Sequence, residues 1–180
     1  MSAHQKKISI IGTSCSGKTY LGKLLSEQMG YPFLDIDDVY WLPGWTKAKP
    51  ETVRKKIQQH VAQDAWVIVG NAHSDSQKLI WPHVDTLIWL DIPLYILLWR
   101  GIKRSLQNIL LKRELCNGNF ETVHKFFSKT SIVFWILQSF KKRKQAYGNI
   151  FKQKPYPCEY VHLRSSRDVE AFIEINGLKR

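Results

Sequence analysis

Two rhythms of apolar residues run along this chain. Short, nearly unbroken apolar runs at residues 7–11, 32–35, 66–69, 86–91 and 160–163 have the length of buried strands and are rich in Ile, Val and Leu. Between them, apolar side chains recur three or four apart, the period of a helix. That spacing predicts helices over 20–29 (Leu21, Leu24, Leu25 and Met29, stopped at Gly30), over 50–63 (opened by Pro50, with Ile57 and Val61 inward) and over 78–81 (stopped by Pro82). A long helix opened by Pro93 carries Leu97, Leu98, Ile102, Leu106, Ile109 and Leu110. Another is expected over 126–140, ended by Lys141-Lys142-Arg143-Lys144, a cationic run that suits a helix C-terminus and needs no partner. A closing helix begins at Ser166 or Asp168 and carries Val169, Phe172 and Ile173. Residues 1–6 are polar and expected to fray. Strands alternating with helices predict an α/β fold with a parallel, doubly wound sheet covered on both faces.

The first strand-to-helix junction carries a motif. Gly12-Thr13-Ser14-Cys15-Ser16-Gly17-Lys18-Thr19 matches the phosphate-loop pattern G-x-x-x-x-G-K-[ST] at every fixed position, with Tyr20 next in the chain. The glycines let the backbone turn tightly, so that successive N–H groups form a concave nest at a helix N-terminus, where the macrodipole favours anions. A polyphosphate fits there, with the Lys18 ammonium on the outer phosphates and the Thr19 hydroxyl on a magnesium ion bridging two of them.

Other candidates gather at the C-terminal ends of the strands, where open α/β sheets bind ligands. Asp35-Ile36-Asp37 follows the second strand, and an extended backbone there puts both acids on one side. Asp35 then suits the magnesium water shell, and Asp37 suits orienting or deprotonating an acceptor hydroxyl; the alternative makes them helix caps, with Asp38 exposed. The aromatic turn around Trp41 and Trp45 fits either a stacking surface for a flat or ringed substrate or a hydrophobic plug under a loop. Gly70 and Asn71 bring a third strand tip to the same edge. Arg100 and Arg104 lie one turn apart on the long helix, and Arg113 follows before Cys116-Asn117-Gly118-Asn119. Such a set suits a lid over a transferring phosphoryl group.

Composition narrows the class. The 180 residues suit one domain, with an acceptor-binding segment at about 36–63 and a lid at about 100–130. No apolar run approaches a membrane span, and no signal-peptide core precedes the first strand, so a soluble, cytoplasmic protein is expected. Three separated cysteines argue against a disulfide framework. Cys15, inside the loop, is either an acidified thiol or a small residue tolerated there. The net charge of +12 sits almost wholly in residues 100–154, with 13 Lys or Arg against 2 acids. That stretch fits a lid over phosphates, a nucleic-acid surface or a solvated helical face.

Beyond the loop, the chain resembles the nucleoside-monophosphate-kinase branch of the phosphate-loop proteins. More closely, it resembles the bacterial group labelled adenylate-kinase-like or DNA topology modulation proteins. The likeness rests on Gly12–Thr19, on Asp37 followed by Trp41-x-Pro43-Gly44-Trp45, and on Trp66-Val67-Ile68-x-Gly70-Asn71. It continues in Ile88-Trp89-Leu90-Asp91-Ile92-Pro93, Trp99-Arg100 with Arg104, Arg113-Glu114-Leu115 before Asn117-Gly118-Asn119, and Leu163-Arg164-Ser165. The resemblance implies a three-layer sandwich around a five-stranded parallel sheet of order 2-3-1-4-5, ATP with magnesium at the loop, and a mobile, basic, arginine-bearing helical lid. It also implies that Arg164 and Ser165 border the adenine. The Asp35/Asp37 pair is similar to that of shikimate- and gluconate-kinase-like enzymes and points to a small acceptor. Where relatives read Asp-Gly-Asn-Tyr, this chain has Val69-Gly70-Asn71-Ala72, losing a magnesium-supporting carboxylate and an aromatic neighbour.

The expected activity is therefore transfer of the γ-phosphoryl group of Mg·ATP to a nucleotide or small hydroxylated acceptor. The alternatives are a nucleotide-dependent nucleic-acid-binding protein, whose affinity would fall steeply with salt, and a catalytically silent nucleotide sensor.

Overall fold

The computed structural model describes residues 6–71, 74–128 and 130–178. The fraying expected of residues 1–5, and Ala72, lie outside the described residues. Five strands, β1 (Lys7–Gly12), β2 (Phe33–Asp35), β3 (Trp66–Val69), β4 (Thr86–Leu90) and β5 (Glu159–Leu163), form one parallel sheet. Its spatial order is β2-β3-β1-β4-β5, the expected 2-3-1-4-5. The central strand β1 buries both faces because its side chains alternate. Ile8 and Ile10 enter one core with Leu21, Leu25, Val67, Val69, Ile88 and Leu97, and Ile11 enters the other with Ile57, Trp66, Ile68, Leu87 and Trp89. Each wholly buried Ile or Leu here contributes about 1.5–3 kcal/mol of transfer free energy, so the sheet centre is where most of the stability resides.

The helices are α1 (Lys18–Met29), α2 (Ile36–Tyr40), α3 (Pro50–Val61), α4 (Ser74–Ile80), α5 (Leu94–Leu110), α6 (Val123–Phe126), α7 (Ile132–Gln153) and α8 (Ser166–Ile175). Two expectations about them need correction. The helix placed over 126–140 is instead α6, a break, and α7, which starts at Ile132 with the Ser131 hydroxyl capping the Phe134 amide. The run Lys141–Lys144 therefore lies inside α7 rather than at its end. Ile136 packs into the core that holds Ile8 and Ile10, whereas Tyr147 packs into the core that holds Ile11, so α7 passes from one side of the sheet to the other. The second correction concerns residues 35–37. The strand stops at Asp35, whose carboxylate accepts from the Asp37 amide at 3.0 Å and caps α2, so Asp37 sits in a helical first turn. A side-chain bond to the backbone two residues on competes with extended geometry, and here it prevails.

Two antiparallel ribbons complete the fold, Trp41–Leu42 with Thr46–Lys47 after α2 and Glu114–Leu115 with Asn119–Phe120 after α5. No helix among the described residues is long and apolar enough to cross a membrane.

Candidate active site

The loop after β1 depends on two glycines. Gly12 has φ +150°, and a Cβ there would come within 2.6 Å of the Leu90 carbonyl oxygen, so only glycine lets β1 and β4 stay paired as the chain turns. Gly17 caps α1 at φ +102° with nothing within 4 Å of the place a Cβ would take. No side chain caps α1. Its first-turn amides thus face a bare cradle, the arrangement that binds a phosphate.

That cradle opens into a cleft of about 340 Å³. Ser14, Cys15, Gly17, Lys18, Thr19 and Tyr20 line it from the loop and α1, Asp35 from the end of β2, Asp37 from the first turn of α2, and Arg100 and Arg104 from α5. Thr13 and Ser16 are buried behind them, and the Ser16 hydroxyl has no hydrogen-bond partner among the described residues. Lys18 is buried, and its Nζ donates to the Thr13 carbonyl at 3.0 Å. Burial pulls its pKa from 10.5 down to about 8, against the opposing pull of Asp37 and Asp35. Burial, reinforced by the neighbouring Asp37 charge, pushes Asp35 up to about 6. The Thr19 hydroxyl donates to Asp35 Oδ2 at 2.9 Å, so a hydroxyl and a carboxylate oxygen meet at the cleft. In the sheet register Asp35 is the partner of Val69 on β2 and β3, so its carboxylate lies beside the position where Val69 carries none. Among the described residues no group of three His, Cys, Asp or Glu forms a metal cage, so a cation here would rely on this pair, phosphate oxygens and water, as magnesium commonly does.

Arg100 and Arg104 have different surroundings. Arg100 donates to the Ser16 carbonyl at 3.3 Å and to the Ser166 hydroxyl at 3.0 Å, bracing the loop against α8. Arg104 is exposed at the cleft wall. Arg113 is exposed beyond the end of α5, does not line the cleft, and engages through its backbone amide with the Asn108 carbonyl. Trp41 and Trp45 are half-buried, packed edge to face at 5.9 Å, and also stand outside the cleft lining. Asn71 Oδ1 accepts from the Tyr147 hydroxyl at 2.9 Å. At the far edge Ser165 caps α8 through the Asp168 amide, and the Arg164 amide donates to Asp168 Oδ2. The Cys15 thiol is not acidified, because burial raises its pKa more than Arg104 and Lys18 lower it.

One residue was missed. Arg143 is partly buried on α7, its Nη1 is buried without a hydrogen-bond partner among the described residues, and its charge acts on Lys18 and feels Asp37. A buried guanidinium N–H costs free energy until something accepts from it. The signal was present in the spacing: Ile136, Phe140, Arg143 and Tyr147 share one helical phase, whereas Lys141 and Lys142 fall off it and are exposed. Lys144, also on that run, pairs with Asp91 at 3.5 Å.

No family model matches the chain. The shikimate kinase of Aquifex aeolicus (strain VF5) is 30% identical over 142 residues, spanning 70% of this chain and 84% of that enzyme. The chain belongs to the shikimate kinase family of phosphate-loop kinases. Solved structures agree on the fold. Shikimate kinase from Bacteroides thetaiotaomicron superposes with a TM-score of 0.57 at 15% identity, covering 97% of this chain and 99% of that one. A gluconokinase from Sinorhizobium meliloti 1021 gives 0.52 at 14% identity, covering 97% and 95%. Membership in the family makes this protein an ATP-dependent small-molecule kinase, and the family's phosphate loop is the Gly12–Thr19 turn described above.

Proposed function

We propose that the protein transfers the γ-phosphoryl group of Mg·ATP to a hydroxyl of a small acceptor that also carries an anionic group, such as a hydroxy acid. The observation that carries the acceptor class is Arg143, a partly buried residue whose buried Nη1 has no hydrogen-bond partner among the described residues and whose charge acts on Lys18 and feels Asp37. A carboxylate is its natural complement, since the planar fork matches two oxygens at once. Shikimate, named in the Aquifex relative, is one molecule of this kind.

Bound Mg·ATP supplies the phosphoryl group; the chain supplies the surroundings. The bare amides at Gly17 and the Lys18 ammonium offset phosphate charge, and Arg104 adds a cation from the facing wall. Thr19 and Asp35 are the residues that would hold magnesium. Asp37, exposed in the cleft, accepts the proton of the acceptor hydroxyl. Arg143→Met is expected to raise the KM for a hydroxy-acid acceptor about 30-fold, the loss of one charged hydrogen-bonding pair, with the KM for ATP within about twofold. ATP consumption with shikimate, other small hydroxy acids and nucleoside monophosphates tests the class. Stimulation by a monophosphate and by no hydroxy acid would overturn it.

The two shifted groups set a pH profile. Asp35 must be ionised to hold a cation and so serves above about pH 6, whereas Lys18 must be charged and serves below about pH 8. Plotted as kcat/KM for ATP, which reports the free enzyme, activity should therefore rise through the first value and fall through the second. A profile flat across both would remove these two residues from the reaction.

A further inference from the structure

Two walls of the cleft are joined by polar side chains that the reaction as described does not use. α2 carries Asp37 on one wall and α5 carries Arg104 on the other. Each helix runs into one of the two antiparallel ribbons, and asparagines lock those ribbons together. Asn119, 2% exposed, spends its whole amide on this junction: Oδ1 accepts from the Trp45 amide at 2.7 Å, and Nδ2 donates to the carbonyls of Leu42 at 3.1 Å and Cys116 at 2.6 Å. Asn117, at φ 52°, donates to the carbonyls of Asp38 at 2.7 Å and Trp41 at 2.5 Å, at the end of α2. The Trp45 indole N–H reaches the Phe120 carbonyl at 3.4 Å, and the Lys125 ammonium sits 3.2 Å from the centre of the Trp45 ring. On the other side, Glu121 accepts from Ser105 Oγ at 2.6 Å and Asn108 Nδ2 at 3.2 Å, both buried on α5, and Ser105 follows Arg104 in the chain.

A continuous path therefore runs from the helix of Arg104 through Glu121, Asn119 and the Leu42–Trp45 turn to the helix of Asp37. Buried amides are costly unless every donor and acceptor is matched, and a matched one fixes its neighbours in one arrangement. We propose that Asn119 is a positioning residue: the 114–121 segment is a tie that sets the span between Asp37 and Arg104, and with it the alignment of acceptor hydroxyl and phosphoryl group. The part of this inference that concerns catalysis rests on the reading of Asp37 as the proton acceptor.

Two measurements on the full chain test it. In hydrogen exchange, Asn119→Ala should speed exchange of amides in residues 36–47, Trp45 foremost, with β1, β3 and β4 unchanged; unaltered protection of 36–47 overturns the tie. In steady-state ATP consumption, with shikimate as one acceptor probe and water as another, Asn119→Ala should lower kcat about 100-fold, as a misplacement of about 1 Å does. The KM for ATP should stay within about twofold. Combined with Asp37→Asn it should lose no more than Asp37→Asn alone, because residues acting as a unit are not additive. Losses that multiply would make Asn119 an independent structural residue and end the positioning role. Should Asn119→Ala fail to fold, Glu121→Gln weakens the same path from its far end and should give about a tenfold loss with the same non-additivity. A wild-type protein that consumes ATP with neither probe overturns the reading of Asp37, and the exchange measurement still decides the tie.

Discussion

Replacing Lys18 with alanine is expected to abolish ATP turnover, by at least about 10³-fold in kcat, the scale for removing a preorganised donor from a developing phosphoryl charge. Among the described residues its ammonium reaches no carboxylate in hydrogen-bonding contact; it rests on the Thr13 carbonyl inside the loop. Such a cation is poised rather than committed. Its depressed pKa means that holding the charge works against the fold at neutral pH. The sign follows from linkage: between about 8 and 10.5 the folded chain binds fewer protons at Lys18 than the unfolded chain, so this group's contribution to stability is recovered as pH rises through that window and is lost below it. Lys18→Met, which keeps the buried stem, should therefore melt at or above the wild-type temperature while turning over no ATP. Dead and stable is the expected pairing; ATP consumption that persists in either variant would remove the phosphate loop from the reaction.

Asp37→Asn should lower kcat by about 10²- to 10⁴-fold, the range for a lost general base, with nucleotide affinity by calorimetry within about threefold. Equal losses in both would assign Asp37 to the nucleotide instead. A second signature accompanies the first. The Asp37 carboxylate raises the pKa of Lys18 and of Asp35, so neutralising it lets both fall. Both limbs of the residual pH profile should therefore move to lower pH, an effect that simple damage to the site does not produce.

The parts of the site visible in the sequence were those made by contiguous residues. Gly12–Thr19 is a local pattern with a local mechanism, and the alternation of strands with helical spacing was enough for the parallel sheet, whereas its order followed from the family resemblance. Asp35 and Asp37 were found through their place after β2, although their backbone was misread. Their own side chains chose it: the Asp35 carboxylate binds the Asp37 amide and starts a helix where extended chain was expected. Arg143 was hidden among three lysines whose composition suggests a solvated terminus, and only the phase shared with Ile136 and Tyr147 separates it from them. The ribbons were illegible because two-residue strands carry no period, and the burial of Asn119 depends on the Trp45 amide and the Leu42 carbonyl, both more than seventy residues away.

Arg100 joins stretches of chain made at very different times. The phosphate loop leaves the ribosome before Arg100, and the guanidinium that grips the Ser16 carbonyl is itself steadied by Ser166, on the final helix described. A nascent chain therefore carries the whole motif long before α8 is made and the Arg100 brace on the loop can be completed.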